Sequence, residues 1–137
     1  MIEQNVYIRE AEWDVKIFYD VHPKDAERII NALWNTGCAE KNLYKASRLL
    51  RSGVPNEGLT YSNPLTRRTV MVIGHTDCAL EFFNSLAHES QHLEQAICEA
   101  DGLDPYGEDI AYISGDISQS IARNAWLNVR KLFLYLL

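Results

Sequence analysis

A single His-Glu-x-x-His motif in the middle of the chain restricts the fold more than any other feature. It occupies residues 88–92, and apolar residues at helical spacing continue on both sides of it. On a helix, residues four apart lie on one face about one turn from each other, so His88 and His92 project side by side. The sequence therefore predicts a long helix that presents two imidazoles together.

The residues around the motif divide this helix into a polar and an apolar side. The polar stripe is formed by Glu81, Ser85, His88, His92, Gln95 and Glu99. Glu89 instead falls in the apolar row of Phe82, Leu86, Leu93 and Ala96. An unpaired carboxylate is costly to bury, so an acid in that row favours a functional role.

Two imidazoles at this spacing are a common pair of zinc ligands, and a carboxylate beside the first of them can take a proton from a zinc-bound water. We therefore predict that His88 and His92 bind Zn²⁺ and that Glu89 is the catalytic general base. The alternative is a chance motif on a solvated helix face.

Length, charge and cysteine usage set the context for this site. The chain has 137 residues, enough for a single domain with a real core. Its formal net charge of -6 argues against a nucleic-acid or anionic-membrane partner. No signal-peptide pattern or membrane-length apolar run is present, and Cys38, Cys78 and Cys98 have no Cys-x-x-Cys spacing. We expect a cytoplasmic protein whose cysteines are small core residues.

Hydrophobic periodicity and turn residues predict an α+β fold with a small, mainly antiparallel sheet packed against the motif helix. Beside the motif, the pattern indicates strands and further helices. The predicted elements are a strand at Asp14–Val21, helices at Lys24–Thr36 and Ala39–Arg51, a hairpin of Gly58–Tyr61 and Arg67–Ile73, the motif helix capped by Thr76 or Asp77 and ending near Ala100, and one long helix or two joined helices from Glu108 to about Leu136.

A catalytic zinc usually has three protein ligands and one position left for water. Glu108, just after the turn that follows the motif helix, is our candidate for the third ligand, and Asp109 is the alternative. Tyr112, one turn beyond Glu108, is a candidate to stabilise an oxyanion, as is His75. The plainer interpretations are acids favoured in the first turn of a helix, a core tyrosine and an ordinary loop histidine.

The order of strand, His88-Glu89-x-x-His92 helix, turn and Glu108-x-x-Ala111 helix resembles the small zincin metallopeptidases of the gluzincin type. The likeness covers about residues 69–115. The small size of the chain and the Glu108-x-x-Ala111 opening of the last helix are also similar to the minimal zincin domains of phage and mobile-element proteins. The resemblance implies a zincin-like fold, His88, His92 and Glu108 as ligands, and Glu89 as base. It also implies that Thr69–Ile73 is the sheet edge where an extended peptide docks.

The interval between His92 and Glu108 is shorter than in larger gluzincins, and position 98 is Cys98 where metzincins have a third motif histidine. The expected function is zinc-dependent hydrolysis of a peptide or protein substrate. A catalytically silent zincin-fold binding or regulatory module is the alternative. The apolar tail Trp126–Leu137 is a candidate surface for a homodimer or a partner protein.

Overall fold

The computed structural model describes residues 1–53 and 58–134. Four strands and four α-helices form one α+β arrangement, with short 3-10 turns at Arg9–Ala11 and Pro23–Asp25. In chain order these are β1 (Ile2–Ile8), β2 (Trp13–Val21), α1 (Ala26–Asn35), α2 (Glu40–Arg51), β3 (Gly58–Asn63), β4 (Arg68–Gly74), α3 (Ala79–Asp101) and α4 (Glu108–Leu134).

The four strands form one sheet in the order β1-β2-β4-β3. β1 pairs with β2 and β3 pairs with β4 in antiparallel fashion, whereas the central pair of β2 and β4 is parallel. Two of the three pairings are antiparallel, in agreement with a mainly antiparallel sheet, and the parallel central pair, which was not predicted, makes the sheet mixed. The parallel pair arises because α1, α2 and β3 lie between the two central strands in the chain and form a crossover.

The helices cover both faces of the sheet and give three layers. On one face α3 contacts β3 and β4, while α4 contacts β1. The core on this side combines Ile17, Tyr19, Met71 and Ile73 of the strands with the apolar rows of α3 and α4. On the other face, Phe18, Val70 and Val72 pack against residues of α1 and α2. Because successive strand residues point to opposite faces, the continuous apolar run of β4 serves both cores.

Most of the predicted elements are confirmed, within a few residues of their predicted bounds. β1 was missed, and its neighbour β2 begins one residue earlier than predicted. α3 begins after Cys78, and no side chain caps it, so neither Thr76 nor Asp77 has the predicted role. Thr76 is instead buried. The final segment is one continuous helix, α4, as far as Leu134.

The cysteines are free thiols, and Cys38 and Cys98 are buried, as predicted for small core residues. Cys78 is only partly buried. The apolar tail Trp126–Leu137 falls largely outside the residues whose side chains the structure describes. Within the described part, Trp126 is exposed and Ala125 belongs to the core beneath α4.

Arg67, at the turn between β3 and β4, ties three parts of the chain together. Its guanidinium donates to both carboxylate oxygens of Asp101, at 2.8 Å each, and to the carbonyl oxygens of Ala11 and Glu12. It also stacks on the ring of Trp13, 4.8 Å from the centroid. The guanidinium holds the pKa of the Asp101 carboxyl below its ordinary value of 3.8. This contact fastens the end of the motif helix to the sheet.

Replacing Arg67 by alanine is expected to lower the free energy of unfolding by about 1–2 kcal/mol, since it removes a bidentate pair and two further hydrogen bonds. Chemical denaturation at pH 7 measures the loss. Because the folded-state pKa of Asp101 is depressed, the part of the stability due to its charge is present above pH 4 and is lost as pH falls. The difference in the free energy of unfolding between the wild type and Arg67→Ala should therefore become smaller in acid. Arg68→Ala, at an exposed neighbour, is the control, and an equal loss there would contradict the assignment.

Candidate metal and peptide site

The motif lies in the middle of α3, with its two kinds of residue on different sides of the helix. His88 and His92 are exposed, while Glu89 is only 5% exposed. Glu89 takes its place in the buried row of α3, as its position among apolar residues indicated. That row consists of Phe82, Leu86, Glu89, Leu93 and Ile97.

The two imidazoles converge on one point. Their Nε2 atoms are 3.3 Å apart, and the ring planes meet at 83°. Two nitrogens bound to one tetrahedral zinc at 2.0–2.1 Å would be about 3.3 Å apart, so this spacing suits a shared ion. The same distance also permits a hydrogen bond from one ring to the other.

Glu89 is held by the neighbouring strand. The Thr60 hydroxyl donates to its Oε2 at 2.6 Å, and its Oε1 lies 4.0 Å from Nε2 of His88. A Cβ at Gly58 would lie 3.0 Å from Oε1 and 2.7 Å from the carbonyl oxygen of Val72. Only glycine leaves room for the carboxylate at this point of β3. Gly58 and Thr60 are thus site residues that the sequence did not single out.

An open groove of about 370 Å³ runs between α3 and β3. Its walls are residues of those two elements only. They are Gly58, Leu59, Thr60 and Ser62 on the strand and His88, Glu89, His92, Gln95, Ala96 and Glu99 on the helix. All three motif residues therefore line the same groove.

The strand beside this groove is the edge of the sheet, but it is not the predicted one. Thr69–Ile73 belongs to β4, which is paired on both sides, with β2 and with β3. β3 (Gly58–Asn63) is the outer strand on the side of the sheet that holds this groove. An edge strand has unpaired backbone groups on one side, to which an extended peptide can add. The expected docking position therefore moves from β4 to β3.

The structure does not bring Glu108 to the two imidazoles. Within the described ranges, the only trio of His, Cys, Asp or Glu side chains with ligand atoms inside 4.8 Å of one another lies elsewhere and excludes His88 and His92. α3 continues from His92 to Asp101, about 13 Å along its axis, before the turn that leads to Glu108. Glu108 and Asp109 are exposed at the start of α4.

Two further candidates lie away from the motif residues. Tyr112 is 70% exposed on α4 and does not line the groove, so it is not a core aromatic either. His75 is hydrogen-bonded to Asp20 at the end of β2 and to Asp77 in the loop before α3. Glu99 does line the groove, but its position seven residues after His92 puts it about 10 Å further along the helix.

Comparisons with known proteins add no relative. A scan of family models, a search of curated proteins and a search of solved structures each gave no match. No helix in residues 1–53 and 58–134 has the length and apolar content needed to cross a membrane. Function must then be inferred from the chemistry of the site, because a fold alone does not establish it.

Proposed function

We propose that this chain is a zinc-dependent peptide hydrolase of zincin-like type, with its site in the groove between α3 and β3. The observation that carries the proposal is the buried Glu89 carboxylate beside two convergent imidazoles, under an edge strand. Each of these parts has a task in metal-assisted hydrolysis of an extended peptide.

His88 and His92 would hold the zinc through their Nε2 atoms. When bound, the ion polarises a carbonyl oxygen and lowers the pKa of a coordinated water. These two imidazoles fit two of the ligand positions of one zinc ion. The third ligand stays a prediction, since Glu108 would reach the imidazoles only if the start of α4 moved along α3.

Glu89 is the proton carrier. Its Oε2 is occupied by the Thr60 hydroxyl, which fixes the plane of the carboxylate and leaves Oε1, the oxygen near His88, to accept a proton. The same oxygen later delivers that proton to the leaving amine. Burial of the carboxylate limits competing water around it.

The peptide would lie against the free side of β3. Backbone hydrogen bonds to an edge strand position an extended substrate without reading its sequence, while the groove contacts its side chains. Thr60 belongs to this strand and also contacts Glu89, so peptide docking and the base meet at one residue. Tyr112 and His75 stay predictions as oxyanion donors.

Zinc content per chain tests the metal site. We expect His88→Ala and His92→Ala each to remove one equivalent of zinc relative to the wild type, because each takes away one of the converging imidazoles. Gln95→Ala, on the next turn of the same exposed stripe, should leave the content unchanged. A wild-type content equal to that of His88→Ala would contradict the assignment. Glu108→Ala shows in the same assay whether that acid is a ligand.

A catalytically silent binding module is the second candidate, favoured by the lack of a third ligand near the imidazoles in the described residues. In that case β3 still captures an extended segment, and the two histidines bond each other. Binding of unstructured peptides without cleavage, by a protein that takes up no zinc in the groove after reconstitution, would support this function over hydrolysis.

A further inference from the structure

A second group of histidine and carboxylate side chains lies at the carboxyl ends of the two central strands. It consists of Asp20 and His22 at the end of β2 and His75 just after β4. Because β2 and β4 are parallel neighbours, both strands end at the same edge of the sheet, where open α/β sheets commonly place their sites. None of the three residues lines the groove of the motif.

A β-bulge brings Asp20 into this position. From Phe18 to Val21, β2 advances three residues while its partner β4 advances two, from Val72 to Gly74. Asp20 is the residue with left-handed backbone conformation there, at φ 55°. The extra residue lets Val21 stay in the core next to Phe18 while the Asp20 side chain reaches both histidines.

The three side chains present metal-ligand atoms to one another. One carboxylate oxygen of Asp20, Oδ1, lies 3.3 Å from Nε2 of His22 and 2.7 Å from Nδ1 of His75. When one ligand atom is taken from each of the three residues, all three atoms lie within 4.8 Å of one another. Ligands of a tetrahedral ion are about 3.3 Å apart, so of the two Asp20 contacts the one with His22 already has this length and the one with His75 has to open by about 0.6 Å. All three side chains are partly exposed, so few neighbouring atoms oppose this movement.

The outer partner that a metal-binding histidine needs is already present. Nε2 of His75, the nitrogen that does not face Asp20, lies 3.0 Å from Oδ1 of Asp77. Histidine ligands usually donate their second ring N–H to a carboxylate, which fixes the tautomer and the orientation of the ring. In the metal-free protein Nδ1 of His75 donates to the Asp20 carboxylate, and a bound ion would take the place of that proton while the Asp77 contact keeps the ring oriented.

A cavity of about 160 Å³ adjoins the group. Its lining includes His22, His75 and Asp77 together with apolar residues such as Leu49 and Val72. A site with three protein ligands keeps a position open for water or a small ligand, and this cavity offers the space for one.

We propose that Asp20, His22 and His75 form a second metal site, which binds a divalent first-row transition-metal ion. Two imidazoles and one carboxylate suit zinc, cobalt and iron(II) far better than magnesium or calcium, which prefer oxygen ligands. The site is independent of the proposed peptidase function, because it shares no ligand with the motif of α3.

Titration with Co²⁺ tests this site in the full chain. In the double variant His88→Ala/His92→Ala, from which the groove ligands are absent, we expect one equivalent of Co²⁺ to remain, with visible d–d absorption. Adding His75→Ala to that background should remove the equivalent. A double variant that binds no Co²⁺, or that binds it equally well after His75→Ala, would overturn the proposal.

Asp20→Asn in the same background keeps the test decisive if His75→Ala fails to fold. Asparagine tolerates the left-handed conformation of residue 20, so the bulge is preserved while the charged ligand is lost. We expect at least a tenfold weaker Co²⁺ affinity with an unchanged far-ultraviolet circular dichroism spectrum. An unchanged affinity would refute the ligand role of Asp20. Mg²⁺ at the same concentration should not compete.

Discussion

Replacing Glu89 by glutamine is expected to reduce peptide hydrolysis by about 10²–10⁴-fold while leaving zinc bound. The amide keeps the size of the side chain and can still contact the Thr60 hydroxyl, but it cannot take a proton at the position of Oε1. Cleavage of a mixture of fluorogenic peptides, with zinc content measured on the same samples, separates loss of the base from loss of the metal.

Glu99→Gln is the matched control, because it makes the same chemical change on the same groove about two turns beyond His92. Its hydrolysis rate should stay within about twofold of the wild type, as expected for an exposed acid with no role in proton transfer. Equal rates for wild type and Glu89→Gln would rule out Glu89 as the base. A low rate together with lost zinc would show instead that the substitution disturbs the metal site.

Replacing Phe82 by alanine is expected to lower the free energy of unfolding by about 3–5 kcal/mol, since it leaves a cavity in the core. Phe82 is fully buried, lies in the same row of α3 as Glu89 and has its ring 6.1 Å from that of Tyr19 in β2. Thermal unfolding should show a midpoint lower by on the order of 10 °C.

The adjacent Phe83 provides the control for this substitution. It is the same residue type on the same turn of α3, but 49% of it is exposed. Phe83→Ala should cost less than about 1 kcal/mol, because little apolar surface returns to water. Similar losses at the two positions would mean that α3 does not pack on the sheet through the row that contains Glu89.

The elements with regular hydrophobic spacing could be predicted, whereas β1 could not. Ile2, Val6 and Ile8 alternate as in a strand, but Gln4 interrupts the apolar series. Gln4 is nevertheless 9% exposed, because its side chain accepts from the Tyr19 hydroxyl at 2.7 Å and donates to the carbonyl oxygen of Ser120. A buried polar residue with partners from β2 and α4 has no signal in a local pattern.

The site was predictable as far as it depends on one helix. The spacing of His88, Glu89 and His92 on α3 placed two of them on the exposed face and one in the buried row, as found. Thr60 and Gly58 were missed because their contacts with Glu89 join positions about 30 residues apart. The edge strand was assigned wrongly although the run Val70–Ile73, apolar at every position, is typical of a strand covered on both faces.

The bulge at the end of β2 assigns core packing and the proposed metal binding to different residues of the strand. Phe18 and Val21 keep their places in the core on either side of the extra residue, and Asp20 has no part in that core. Exchanges at position 20 among residues that tolerate its left-handed backbone, such as aspartate, asparagine and glycine, can therefore accumulate in evolution with little effect on folding. Descendants of this sequence could gain, retune or lose a ligand there while the sheet is inherited intact.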